Sequence, residues 1–234
     1  MSTSAIIDVA ARLAAVKSRI REAEQRFHRP AGSVELLAVS KRQPIAAIRL
    51  AAEHGQRAFG ENYLQEAIDK REALANLDLE WHFVGALQSN KTRPAAESFD
   101  WVHAVDRLKI AQRLNEQRPV ELPPLQCCIQ VNVSAEASKA GVHPDALPAL
   151  AHAVAELPQL KLRGLMTLPE AVDDFAQQRE AFRLLHECQS QLIEQGLDLD
   201  TLSMGMTNDL EAAVAEGTTI VRIGTAVFGP RPEK

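Results

Sequence analysis

The chain has 234 residues, 46% of them hydrophobic and 4% aromatic, with a formal net charge of −5. That length and apolar content suffice for one large core, while lysines and arginines scattered among acids leave no basic stripe to release counterions from a phosphate backbone. With one tyrosine, Tyr63, and two tryptophans there are few rings on which bases could stack, so no nucleic-acid partner is expected.

The opening stretch, MSTSAIIDVAARLAAVKSRIREAEQRF, starts polar and carries a charge every few positions. That is neither a secretory leader nor a membrane span; it predicts an amphipathic helix over about 4–27 and a cytoplasmic protein with no membrane partner. Next comes LLAVSKRQP, residues 36–44, in which a short buried strand over 36–39 stops at Ser40-Lys41-Arg42-Gln43 before Pro44 opens a helix. Similar apolar runs follow at 58–60, 81–84, 101–105, 125–133, 162–165, 201–203 and 220–223, eight strands in all. Helical patterns lie between them at 44–53, 64–76, 107–117, 144–156, 173–195 and 208–216, with Pro44 and Pro144 at starts and Gly55 and Gly196 past ends. The connection over 88–100 has the weakest helical pattern.

Strand and helix alternating eight times, with connections too long for hairpins, predicts a parallel sheet closed into a single (β/α)₈ TIM barrel. An open doubly wound sheet would use the same alternation, but it normally carries a glycine-rich first turn, and Ser40-Lys41-Arg42 has no glycine. After the eighth strand TAVFGPRPEK is too short and proline-rich for an outer helix, so the extra N-terminal helix is expected to fill the vacancy. No glycine- or serine-rich linker breaks the chain, which predicts one domain over 1–234 with the barrel at about 34–230.

In such barrels chemistry sits at the C-terminal ends of strands, and the loops after strands seven and eight commonly hold a phosphate. Here those loops offer Ser203, Gly205 and Thr207, then Gly224 and Thr225, as donors to an anion. Lys41, at the end of an apolar strand beside that pocket, would be partly desolvated, which lowers an amine's pKa and frees it to attack an aldehyde. Arg222 lies inside the last strand and should point into the mouth, where a guanidinium needs an acceptor. A phosphate, an aldehyde and a ring nitrogen together describe pyridoxal 5'-phosphate (PLP). Cys127, Cys128 and Cys188 show no CxxC spacing and the seven histidines no HExxH, so no disulfide and no metal are expected.

The blocks LLAVSK, FGENYLQEAIDK, EWHFVGALQSNK, IQVNVSAEASKAGV, RGLMTLP and LSMGMTNDLEAAVAEGTTIVRIGTAVFG closely resemble the YggS/PROSC family of PLP homeostasis proteins, in the same order over nearly the whole chain. The resemblance implies a barrel like the N-terminal domain of alanine racemase, with PLP held as a Schiff base on Lys41. It also implies phosphate contacts from Ser203, Gly224 and Thr225, Arg222 at the pyridine nitrogen, Asn62 lining the ring, and Met204 and Met206 shaping the pocket. Departures are small: Thr207 stands where a serine is common, Ala86 where a proline often sits, and Arg42-Gln43 follow the lysine.

Racemisation needs a base on each face of the substrate. In the racemases the second is a tyrosine from a partner's second domain, which this chain lacks; an arginine at the ring nitrogen also weakens the electron sink. The expectation is therefore a monomeric PLP carrier, with PLP-accepting apoenzymes as transient partners and no catalytic residue. Two alternatives stay open: a PLP enzyme using Lys41 as base with His82 or Tyr63 as second acid, and a Schiff-base aldolase without cofactor. Lys139, in SAEASKAGV, is a candidate second acceptor of the aldehyde at the pocket mouth.

Overall fold

The computed structural model describes residues 3–134 and 140–230. Eight strands, β1 (Glu35–Val39), β2 (Ala58–Glu61), β3 (Glu80–Phe83), β4 (Trp101–Val105), β5 (Leu125–Gln130), β6 (Leu160–Met166), β7 (Thr201–Ser203) and β8 (Ile220–Ile223), close into a barrel in chain order. Every ladder is parallel, including the one that brings β8 back against β1 with Arg222 opposite Leu37. Helices α2 (Ile45–Glu53), α3 (Leu64–Ala73), α4 (Thr92–Ser98), α5 (Leu108–Gln117), α6 (Leu147–Ala155), α7 (Phe175–Glu194) and α8 (Leu210–Ala215) make the crossovers. The barrel predicted from the alternation is the barrel found.

Strand residues face alternately outward and inward. Outward-facing Leu36, Ala38, Phe59, Trp81 and Phe83 join the main core between strands and helices, while Leu37, Ala58, Val84 and Ile220 form a separate small cluster inside. Trp101, Ala104, Cys128 and Met166 form a second small apolar cluster, and beside these lie the buried polar side chains of His82, His103, Ser203 and Arg222.

The N-terminal helix α1 (Thr3–Arg26) buries Val9, Leu13, Val16, Ile20 and Ala23, a stripe at helical spacing. It packs on α2, α8 and α9 (Thr225–Phe228), the last a single turn of 4 residues, so it fills the place the short C-terminal turn cannot. Arg19 fixes the contact: Nε and Nη2 reach Glu211 at 2.7 and 2.6 Å, and Nη1 donates to Thr207 O at 2.7 Å.

Two elements differ from expectation. The connection over 88–100 is a 3₁₀ turn, Ser89–Lys91, running into α4, as Pro94 has no N–H for a continuous helix. Strand β5 ends at Gln130 rather than 133, because Val131 bridges Val142 and Asn132 N donates to Val142 O at 2.9 Å, turning the chain onto its own return segment. Lys139 lies outside the described residues. None of the described helices is long and apolar enough to cross a membrane.

Candidate functional site

Lys41 follows β1 in a turn held on both sides. Ser40 is buried; its N–H donates to Gly60 O at 2.9 Å, its hydroxyl donates to Glu61 Oε1 at 2.6 Å, and its carbonyl accepts from Lys70 Nζ at 2.7 Å. Arg42 has φ 61°, left-handed backbone that a non-glycine residue rarely adopts. Its N–H donates to Glu66 Oε1 at 2.5 Å, and Lys70 ties the carboxylates together at 2.7 Å to Glu61 and 2.6 Å to Glu66. The residues flanking Lys41 are thus fastened to one ion cluster on the outer side of β2, which fixes where the lysine leaves the chain. Burial pushes the Glu61 carboxyl up, and Lys70 and Ser40 act against it. The sequence offered one signal of this cluster, the Glu66–Lys70 spacing of four on a helix.

Arg222 is buried on the inner side of β8. Its Nη1 donates to Ser203 O at 2.5 Å and to Ser203 Oγ at 2.9 Å, and its Nη2 donates to Thr167 O at 2.7 Å. A guanidinium has five N–H donors; one on Nε and one on Nη2 have no acceptor among the described residues. Burial, opposed by Asp209, pushes the guanidinium down to about 10, still cationic at neutral pH.

Two expected residues take other places. Ser203 was assigned to a phosphate, but its hydroxyl lies inside the barrel, used by Arg222 and by His103 Nδ1 at 2.8 Å. Met204 was assigned to the pocket wall, but it is fully buried in the layer between strands and helices. Its backbone is occupied too: N–H donates to Ile220 O at 3.1 Å and the carbonyl accepts from Thr218 Oγ1 at 2.7 Å. A period of two running from Thr201 turns Ser203 inward and Met204 outward. Thr207 is half-buried and Met206 exposed at the rim of the same loop.

Asn62, Gly224 and Thr225 do sit at the C-terminal ends of their strands. Asn62 Oδ1 is a buried acceptor with no partner among the described residues, and Gly85 packs so closely on the Asn62 backbone that a Cβ would lie 2.5 Å from its carbonyl oxygen. Gly224 is half-buried and Thr225 exposed where β8 gives way to α9. Tyr63 is exposed on the outer rim, its hydroxyl 3.3 Å from Arg42 Nη2. His82 lies deeper in the interior, its Nδ1 2.9 Å from His103 Nε2. Among the described residues no group of three His, Cys, Asp or Glu could hold a metal ion.

A lysine and an arginine at the mouth of an eight-stranded barrel invite comparison with known proteins. Residues 11–232 match the family model for the alanine racemase N-terminal domain. A pyridoxal phosphate homeostasis protein of Pseudomonas aeruginosa is 60% identical over 223 residues, 95% of this chain and 96% of that one. Its Escherichia coli counterpart is 51% identical over 227 residues, 96% and 97% of the two chains. The chain belongs to the pyridoxal phosphate homeostasis protein family. Within this family, the structure of PipY from Synechococcus elongatus with PLP bound superposes with a TM-score of 0.84 at 41% identity, covering 94% of this chain and 100% of that one. An alanine racemase from Corynebacterium glutamicum has a TM-score of 0.72 at 18% identity, covering 93% of this chain and 62% of that one, a likeness of fold.

Proposed function

We propose that this pyridoxal phosphate homeostasis family member binds PLP at the mouth of its barrel, holds it reversibly through the Lys41 amine as a Schiff base, and serves PLP and amino-acid balance without robust turnover. The observation that carries the reading is a clamped lysine after β1 and a buried guanidinium on the adjacent strand β8, at the same end of the barrel.

The residues present fit such a group. Arg222 keeps two N–H donors without an acceptor among the described residues, suited to an aromatic nitrogen lone pair. Asn62 Oδ1 is a buried acceptor waiting for a donor, and Gly224 and Thr225 stand ready for a phosphate at the start of α9. Ser203 supports Arg222 from below, and Met206 and Thr207 line the rim. When bound, PLP would supply an electrophilic aldehyde carbon and a conjugated ring.

The chain's own residues favour retention over turnover. A permanent cation facing a ring nitrogen resists its protonation, which weakens electron withdrawal. The two side chains that could act as a second acid are engaged elsewhere, Tyr63 with Arg42 on the outer rim and His82 with His103 in the interior. On this reading the protein works as a cytoplasmic monomer whose transient partners are PLP-requiring apoenzymes.

The test is the absorbance spectrum of wild type and Lys41→Ala loaded with PLP, before and after borohydride, with mass analysis of the reduced chains. A visible-region band and a reduced adduct on Lys41 in wild type alone are expected; a wild type that takes up no PLP overturns the reading. Exchange of α-deuterium from labelled amino acids at a rate typical of enzymes would overturn the carrier role while leaving the cofactor in place.

A further inference from the structure

His82 and His103 are buried in the barrel, and the function proposed above uses neither. His82 Nδ1 lies 2.9 Å from His103 Nε2, and His103 Nδ1 lies 2.8 Å from Ser203 Oγ. Ser203 Oγ accepts from Arg222 Nη1 at 2.9 Å, and at the far end His82 Nε2 faces Glu80 Oε2 at 3.7 Å. Glu80 begins β3 and Arg222 lies near the end of β8, so the row of side chains runs from the base of the barrel to its mouth.

The direction of hydrogen donation follows from the two ends. Arg222 can only donate, so Ser203 Oγ accepts there. The hydroxyl's single hydrogen then goes to its other neighbour, His103 Nδ1, which must be bare. Burial first, and the charge of Arg222 beside it, hold the His103 imidazole well below its usual range, so it is neutral. A neutral imidazole has one hydrogen; on His103 it sits on Nε2 and is donated to His82 Nδ1. His82 in turn carries its hydrogen on Nε2, which makes no hydrogen bond among the described residues and faces Glu80 Oε2 across 3.7 Å. The His82 edge, with Trp101 Nε1 donating at 2.5 Å, holds the Glu80 carboxyl below its usual range, so the row ends on a carboxylate.

We propose that this one-way row makes His103 and His82 positioning residues for Arg222: by taking up the Ser203 hydrogen they fix the rotation of the hydroxyl so that a lone pair of Ser203 Oγ meets Arg222 Nη1, which holds the guanidinium facing the mouth. If His103 carried its hydrogen on Nδ1, Ser203 Oγ would accept from both neighbours and its own buried hydrogen would be left without an acceptor among the described residues. The inference rests on the PLP reading only for what Arg222 meets; the row itself is a property of the chain alone.

The experiment has two arms. In ¹⁵N-histidine-labelled protein without cofactor, long-range ¹H–¹⁵N spectra between about pH 6 and 8, a span around the ordinary histidine pKa, should show His103 with its hydrogen on Nε2 alone and His82 with a bare Nδ1. A hydrogen on Nδ1 of either overturns the proposal, and this arm needs no variant to fold. In the second arm, His103→Phe keeps the volume and breaks the row. PLP loaded on it should be released about tenfold faster than from wild type, as for loss of a hydrogen bond to a charged group, with a shifted absorption band. His103→Gln, which keeps an acceptor and a donor, should recover most of both. Wild-type release and band in His103→Phe would overturn the positioning role. A wild type that binds no PLP would instead sink the PLP reading, leaving the tautomers to decide the row.

Discussion

Replacing Lys70 with methionine removes the cation that joins Glu61 and Glu66 beneath the Lys41 turn. Glu61 Oε1 loses a partner at 2.7 Å while Oε2 has none among the described residues, Ser40 O is left with Gln43 N–H and Glu66 Oε1 with Arg42 N–H. The Glu61 side chain is 0% exposed and that of Lys70 6%, so water cannot take over and the discount due to surface pairs does not apply. Opposite charges at this distance attract by about 6 kcal/mol at an effective dielectric of about 20, and stranding one partner of a buried pair costs about 3–5 kcal/mol. For a chain of this size that lowers the melting temperature by roughly 10 °C. The deficit should depend on pH in a defined sense. Burial already raises the Glu61 carboxyl pKa, and without Lys70 it rises further. Below the unfolded carboxyl's pKa, about 4.3, neither state is charged and the charge deficit vanishes; it grows as pH rises from there through the raised folded value. Urea unfolding of wild type and Lys70→Met at about pH 7 and about pH 5 measures it, and adding Glu61→Gln should recover half or more of the loss. A deficit under about 1 kcal/mol, the scale of an exposed pair, or one equal at both pH values would refute the reasoning.

Arg19→Ala removes a bidentate pair that is about one-third exposed (36% and 31%), so its stability cost should be about 1 kcal/mol. Its distinctive effect should be faster amide exchange over residues 205–209, since Thr207 O loses Arg19 Nη1; unchanged exchange there would count against the anchoring role of α1. Gly205→Ala combines φ 96° with a Cβ placed 2.5 Å from Ala213 Cβ. It should cost about 2–3 kcal/mol in chemical unfolding, and a loss within about 0.5 kcal/mol, the range of surface changes, would contradict that geometry. Burial pushes the Cys127 thiol up to about 12 and that of Cys128 higher than usual as well, so a thiol reagent at mildly alkaline pH should modify neither until denaturant is added, as mass analysis of the peptides can show.

Much of the fold could be read from local pattern. The strands over 101–105, 201–203 and 220–223 were found at their observed limits, because short β-branched runs closed by polar residues have few other uses. The proline-rich TAVFGPRPEK after β8 pointed away from an outer helix there, and α1 packs on the single turn α9 that it forms. Where reading failed, the deciding contacts were long-range. Strand β5 looked continuous to Val133 because nothing local announces the pairing of Val131 with Val142. For the candidate site, the mouth positions of Lys41 and Arg222 were legible because apolar strands rarely end in or enclose cations. The places of Ser203 and Met204 were legible in principle, from strand parity, but a glycine- and hydroxyl-rich loop invited a phosphate first. His103 gave no such cue: its partners, Ser203 and His82, lie 100 and 21 residues away.

The position of α1 has a consequence during synthesis. It leaves the ribosome before the other described elements, yet two of the helices that cover its apolar stripe, α8 and α9, follow all the other helices in chain order. Arg19 and Glu211 are 192 residues apart, an interval of roughly ten to forty seconds at ordinary elongation rates. Through that time Val9, Leu13, Val16 and Ile20 lack most of their final cover, so the emerging chain presents a sticky amphipathic stripe to whatever waits at the exit tunnel. Closing the outer ring of helices is therefore an event of the completed chain, and substitutions on the α1 stripe should act on yield in the cell before they act on the finished site.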